Sequence, residues 1–254
     1  MLKFFRQIRQ RLLAENKFSK YLVYASGEIL LVMIGILLAL QVNNWNSNQI
    51  EKGLAKEYIS RLSTELESEI THYKNIQHAF RTKEKRLKRI IKIWQSNPLI
   101  ISDSLQYIND FTYAGDISLW YNEPVTWTQL VQSGEIRVIK DQAILDELHL
   151  YYNTVKKAAD NYKMHPMSMT NKGREIFHHV FKYQDPDSYF DTFGGFFTEL
   201  PSPYVFEQIE QNKEEYLQLY LTIAYVSKVQ YLILTNIISK AEKNLNQLQS
   251  KLEA

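Results

Sequence analysis

No cysteine occurs in this chain of 254 residues, and glycine (8) and proline (6) are scarce. The first absence excludes disulfides, thiol nucleophiles and thiolate metal sites, though it says little about redox compartment. The second leaves room for few loops. No glycine-rich segment is spaced to cradle a phosphate or a dinucleotide, and no serine stands in a nucleophile-elbow context. Strand-like alternation is also missing. Charge of one sign does not dominate either, since the net balance is only +2, but that balance is unevenly spread.

What is present is apolar and aromatic. Hydrophobic residues make up 45% of the chain, and its 17 tyrosines and 4 tryptophans point to amphipathic packing surfaces and a sizeable core. The length suits one ordinary domain with an appendage, or two small domains.

The appendage lies near the start. Between Phe18 and Val42 only Lys20 and Glu28 are charged, and Ile29 to Leu40 is unbroken apolar sequence. About 22 residues of helix here reach roughly 33 Å, the thickness of a bilayer core. Phe18, Tyr21 and Tyr24 stand at one end and Trp45 at the other, where interfacial aromatics are expected. Ahead of the run come Lys3, Arg6, Arg9, Arg11, Lys17 and Lys20 against Glu15 alone; after it no charge appears until Glu51. That asymmetry puts the amino terminus in the cytoplasm. The Leu38-Ala39-Leu40-Gln41-Val42-Asn43 segment has no small-x-small site, so the span is expected to stay as a signal-anchor.

The leader over 1–17 carries Leu2, Phe5, Ile8 and Leu12 on about one face, with basic residues flanking it. It reads either as a helix in the plane of an anionic leaflet or as a basic tail that only fixes topology. Glu28, a third of the way along the span, is costly in hydrocarbon. Three readings of it stay open: the inner headgroup zone, a contact with another membrane helix, or a proton path. Gly27 and Gly35, eight residues apart, form a small-residue stripe for close helix approach, without the four-residue glycine motif.

Beyond Trp45 the period changes. Leu54, Tyr58, Leu62, Leu66, Ile70, Tyr73, Phe80, Leu87, Ile91 and Trp94 fall on one face of a long helix that Pro98 ends. Short helices are expected at 102–111, 124–131, 140–162 and 169–181, with an aromatic loop over 183–203. From Tyr204 the chain is helical almost to its end, with Val205, Ile209, Tyr216, Leu219, Ile223, Val226, Val229, Ile233, Ile237, Ala241, Leu245, Leu248 and Leu252 on one face. Lys228, Gln218 and Gln230 interrupt it, so it reads as the central helix of a bundle rather than a second span. The expected fold is all-α: a leader (1–17), a single transmembrane helix (18–45), and an antiparallel helical bundle (46–254) built on two long helices with shorter ones between them.

Chemistry-bearing groups are sparse. Glu175 with His178 and His179, followed by Asp185 and Asp187, has ligand-type spacing, but adjacent histidines on a helix diverge by about 100°, and the repeat needed for a di-metal bundle is missing. Gly194-Gly195 between Phe193 and Phe196-Phe197 reads as a packed turn. No cofactor, metal or catalysis is expected. Arg81, Lys83, Lys85, Arg86, Lys88, Arg89 and Lys92 make a basic run; outside the cytoplasm its partner is not nucleic acid but an anionic surface, or it is a solvated face. Glu57, Glu65, Glu67 and Glu69 on the same helix would complement it in antiparallel self-association.

Residues 4–46, "FFRQIRQRLLAENKFSKYLVYASGEILLVMIGILLALQVNNWN", and 127–153, with a Ser-Gly pair and a helix ending Tyr-Tyr-Asn, resemble an uncharacterised family of small Bacteroidota membrane proteins, domain of unknown function 6090. Gly27-Glu28-Ile29 matches that family's Gly-Glu-Ile element. The resemblance implies an inner-membrane protein of a Gram-negative bacterium with a periplasmic helical domain, and implies no activity.

Three functions follow as expectations. One is a membrane-anchored interaction or scaffold subunit of an envelope complex, whose partners are the bilayer and either another membrane protein or a second copy. Another is a ligand-sensing domain that acts through a membrane partner. The third is an accessory subunit of an ion-driven motor or transporter that uses Glu28.

Overall fold

The computed structural model describes residues 18–116, 121, 123–182 and 197–253. The basic leader, the 183–196 part of the aromatic loop with Asp185, Asp187 and the Gly-Gly turn, and the side chains of Phe18, Tyr21 and Tyr24 lie outside the described residues. Among these residues six α-helices follow one another: α1 (Phe18–Trp94), α2 (Ser104–Thr112), α3 (Val125–Gln132), α4 (Gln142–Met164), α5 (Pro166–Val180) and α6 (Pro203–Glu253). Short 3-10 turns lie at Tyr113–Gly115 and Glu135–Val138. Two compact units result, Met1–Glu57 and Tyr58–Ala254.

The first unit is described by α1 alone. This helix crosses the change in composition at Trp45 without a break. The polar Asn43–Asn48 stretch has poor helix formers but no proline, so nothing removes a backbone donor from the ladder. Gly53 costs only about 1 kcal/mol in a helix interior. The boundary expected at 45/46 is thus one of composition, while the compact units divide at 57/58.

In the second unit, α1 and α6 pair in opposite directions. Glu67 meets Gln249 at 3.0 Å, Lys74 meets Glu242 at 2.7 Å, Gln77 meets Thr235 at 2.8 Å, and Arg81 lies over the Tyr231 ring at 5.2 Å. Numbers rise along one helix as they fall along the other. Helices α4 and α5 pack on α6 and on each other, and α5 also packs on the first 3-10 turn.

Nearly the whole face read for α1 is buried, from Tyr58 to Trp94, with Leu54 only half-buried. The face read for α4 is likewise buried from Ile144 to Val155. On α6 the phase differs in the middle. Tyr220, Ala224, Ser227, Gln230 and Leu234 are the buried line, whereas Leu219, Val226, Val229 and Ile233 are half-buried. Apolar residues surround the helix there, so hydropathy alone left its rotation undetermined. Leu221, Tyr225 and Leu232 remain exposed on its far side.

The densest part of the core is aromatic. Trp94 and Phe111 both pack on Tyr220, with ring centroids at 4.8 and 5.5 Å, and the Tyr220 hydroxyl donates to the Phe111 carbonyl at 2.9 Å. Phe197 stacks on Phe181 at 4.9 Å, and its backbone exchanges two hydrogen bonds with the Asn109 amide.

Caps set the short helices. The Asp103 carboxylate accepts from Gln106 N at 2.9 Å to begin α2, Asp141 caps α4, and Pro166 takes the first turn of α5. Gly134 stops α3 with φ of 73°, which glycine adopts without a Cβ clash.

Candidate functional site

The surface of the first unit is its most distinctive feature. Between Ile29 and Val42 eleven large apolar side chains are 47–68% exposed, and Trp45 and Ile50 are exposed as well. At about 2 kcal/mol per side chain, covering them would stabilise the chain by on the order of 20 kcal/mol. Among the described residues two helices are long and apolar enough to cross a membrane, α1 through this segment and α6. They differ in cover: among the described residues none of the α1 window is buried, whereas Ile223, Leu234 and Ile237 of α6 are fully enclosed.

Gly27 and Gly35 face open space, and a methyl group at either position would meet nothing within 4 Å. Glu28 is partly covered, unlike its exposed neighbours. Ser26 donates its hydroxyl to the Leu22 carbonyl at 2.9 Å, which keeps this polar group satisfied within the helix.

The second unit holds a polar cluster that periodicity did not single out. Glu65 and Glu69 stand one turn apart on α1, each immediately before a buried residue, Leu66 and Ile70. The Glu65 carboxylate accepts from the backbone N–H groups of Val125 and Thr126, the latter at 2.8 Å. It thereby supplies the cap that Pro124, with no side-chain donor or acceptor, cannot give to α3. Glu69 accepts from the Tyr151 hydroxyl at 2.6 Å. Tyr73, Tyr151 and Tyr152 pack around it, all buried, and the rings of Tyr151 and Tyr152 meet edge to face at 4.9 Å.

Burial pushes the Glu69 carboxyl up to about 7, despite the hydrogen bond from Tyr151, and the Glu65 charge raises it further. Burial also raises Tyr73, Tyr151 and Tyr152 well above the ordinary phenol range, with Glu69 contributing to each. A cleft of about 490 Å³ opens beside the cluster, bordered by Ser60, Arg61, Thr64, Ser68, His72 and Glu123. The His72 Nε2 and Tyr152 hydroxyl are enclosed with no hydrogen-bond partner among the described residues.

The basic run is divided by the fold. Arg89 and Arg86 turn to the buried Asp110, at 2.6 and 3.7 Å. Arg86 also lies over the Tyr113 ring at 4.1 Å. Arg81 and Lys88 pair with Glu84, at 3.4 and 2.6 Å. Lys83 and Glu84 are themselves buried, whereas the side chains of Arg81 and Lys88 stay 48% and 62% exposed. Lys83 donates to the Asp116 carbonyl, and burial lowers its ammonium to about 8. Lys85 and Lys92 remain exposed. Glu65, Glu67 and Glu69 of the acidic stretch are likewise engaged within the chain.

Glu175, His178 and His179 lie exposed on α5, and among the described residues no three His, Asp or Glu side chains gather to hold a metal. Sequence reasoning missed Asp110 and read Glu69 only as part of an acidic stretch, because each sits beside apolar positions that the helical period assigns to the core. Acidic residues inside an apolar stripe were the signal for both.

No protein family matches the chain, and no curated protein or solved structure is similar to it.

Proposed function

We propose that this protein is a single-pass inner-membrane protein whose helical part, outside the cytoplasm, acts as an interaction or scaffold subunit of an envelope complex. One observation carries the reading: among the described residues, the large apolar side chains of Ile29–Val42 stand exposed on every side of the helix. A helix of this length exposed on all sides needs hydrocarbon around it. The basic excess before it and the charge-free segment after it orient it with the amino terminus inside. The antiparallel pairing of the two long helices and the shorter helices packed on them fit the same reading.

The chain has no cysteine, which makes the test clean. A Lys85→Cys variant is expected to react with a membrane-impermeant maleimide once the outer membrane is opened, before the inner membrane is broken. Labelling only after lysis of the inner membrane, or release of the chain by carbonate, would overturn the reading.

A second reading, a ligand-sensing domain, is favoured by the cleft beside Glu69. It requires a small molecule that raises the unfolding temperature of the second unit.

A further inference from the structure

Glu69 is held where a carboxylate charge finds no countercharge among the described residues, and Glu65 stands one turn away. Its only hydrogen-bond partner among the described residues is the Tyr151 phenol, and no Lys, Arg or His pairs with it. The groups that face it are acidic or phenolic: Glu65 and Tyr73 from α1, Tyr121 and Glu123 from the segment before α3, and Tyr151 and Tyr152 from α4. His72, one turn beyond, has an enclosed Nε2 but makes no bond to the carboxyl. Arg61, the nearest cation on the cleft wall, is committed to Gln129 at 2.7 Å and to the Tyr58 ring. Helix α6 sends Glu242 and Lys243 to Lys74 and Glu147 instead.

An ionised carboxylate in this place, half-buried on the cleft wall, has lost part of its water and gained no positive neighbour among the described residues, so its charge is destabilising. The same turn of α1 fixes two other elements. Glu65 holds the start of α3, and Glu69 holds Tyr151, beside which Tyr152 stacks on Trp127 of α3 at 5.1 Å. What happens at Glu69 therefore reaches both α3 and α4.

We propose that Glu69 is a proton-operated latch, which in its neutral form keeps α3 and α4 seated on α1 and on ionisation releases them. Its physiological use rests on the helical part facing the periplasm, whose pH follows the medium. The latch itself does not depend on topology, and the maleimide test decides topology separately.

The test is amide hydrogen exchange over 121–152 in the full chain, reconstituted in lipid nanodiscs, at pH 6 and pH 8. After correction for the intrinsic rate, the open population should rise about tenfold between the two, from a closed-state carboxyl near 7 and an ordinary one in the open state. Glu69→Gln, which keeps an acceptor for Tyr151 but cannot ionise, should abolish that rise. Equal corrected exchange at both pH values, or a tenfold rise that survives in Glu69→Gln, overturns the proposal. Should that variant fail to fold, Tyr151→Phe removes the bond that favours the ionised form. It should move the midpoint of the opening to higher pH, and an unmoved midpoint overturns the latch.

Discussion

Arg89 grips the buried carboxylate of Asp110 through two parallel hydrogen bonds, Nε to Oδ2 at 2.6 Å and Nη2 to Oδ1 at 2.7 Å. Gln106 adds a third at 2.9 Å. Asp110 is 1% exposed, while Arg89 reaches halfway into solvent. This fork ties α2 to the last turns of α1.

Asp110→Ala should destabilise the second unit by about 2–3 kcal/mol, less than the 3–5 of a fully buried pair because the freed arginines can rehydrate. Chemical unfolding of the full chain in detergent checks it. Arg89→Ala should cost a comparable amount, and the double variant less than the sum.

Gly115 and Gly173 mark where the first 3-10 turn crosses α5. A Cβ on Gly115 would stand 2.8 Å from the Arg174 Cα, and one on Gly173 would stand 2.8 Å from the Ala114 carbonyl. Both obstacles are backbone, so neither can step aside. Gly115→Ala and Gly173→Ala should each lower stability by about 1–3 kcal/mol.

Glu65→Ala removes the cap of α3. The expected cost is about 1–2 kcal/mol, from two backbone donors left without a partner and from the loss of an anion at a helix N-terminus. Faster exchange of the Val125 and Thr126 amides, with the amides of α2 unchanged, is the check.

Lys83 gives a pH dependence of definite sign. Its ammonium is lowered from 10.5 to about 8 by burial, so above about pH 8 the unfolded chain holds a proton that the folded chain has lost. Its contribution to stability therefore rises with pH between about 8 and 10.5. Lys83→Met, similar in volume and uncharged, should be the more stable protein at pH 7. The gap between the two unfolding temperatures should narrow by pH 9.5, and a constant gap would refute the assignment.

Gly27→Leu and Gly35→Leu test the membrane segment. Among the described residues nothing lies within 4 Å of a Cβ at either position, so unfolding of the second unit should be unaffected. If this stripe meets another helix, each variant should reduce association in the membrane, read by energy transfer between labelled copies or with a co-purified partner. Retained association in both variants would remove the stripe from the contact.

The helical class was legible from the sequence because period and punctuation agree. The stripe from Tyr58 to Trp94 and the Ile144–Val155 face follow the helical repeat and are buried as it requires. Asp103, Asp141, Gly134 and Pro166 mark their helix ends by local chemistry. The polar cluster was not legible. Glu65 finds its donors 60 and 61 residues away, and Glu69 finds Tyr151 at a separation of 82. No local pattern encodes such distances.

The sequence by itself therefore determined the α-helical elements, the apolar segment near the start and the charge bias around it, since each depends on residues within a few turns of one another. Tertiary structure alone decided the rotation of α6, the division of the basic run between Asp110, Glu84 and solvent, and the lack of a positive neighbour for Glu69 among the described residues. Those outcomes depend on which distant side chains arrive at the same place, because burial and countercharge are properties of the packed unit rather than of any one stretch of chain.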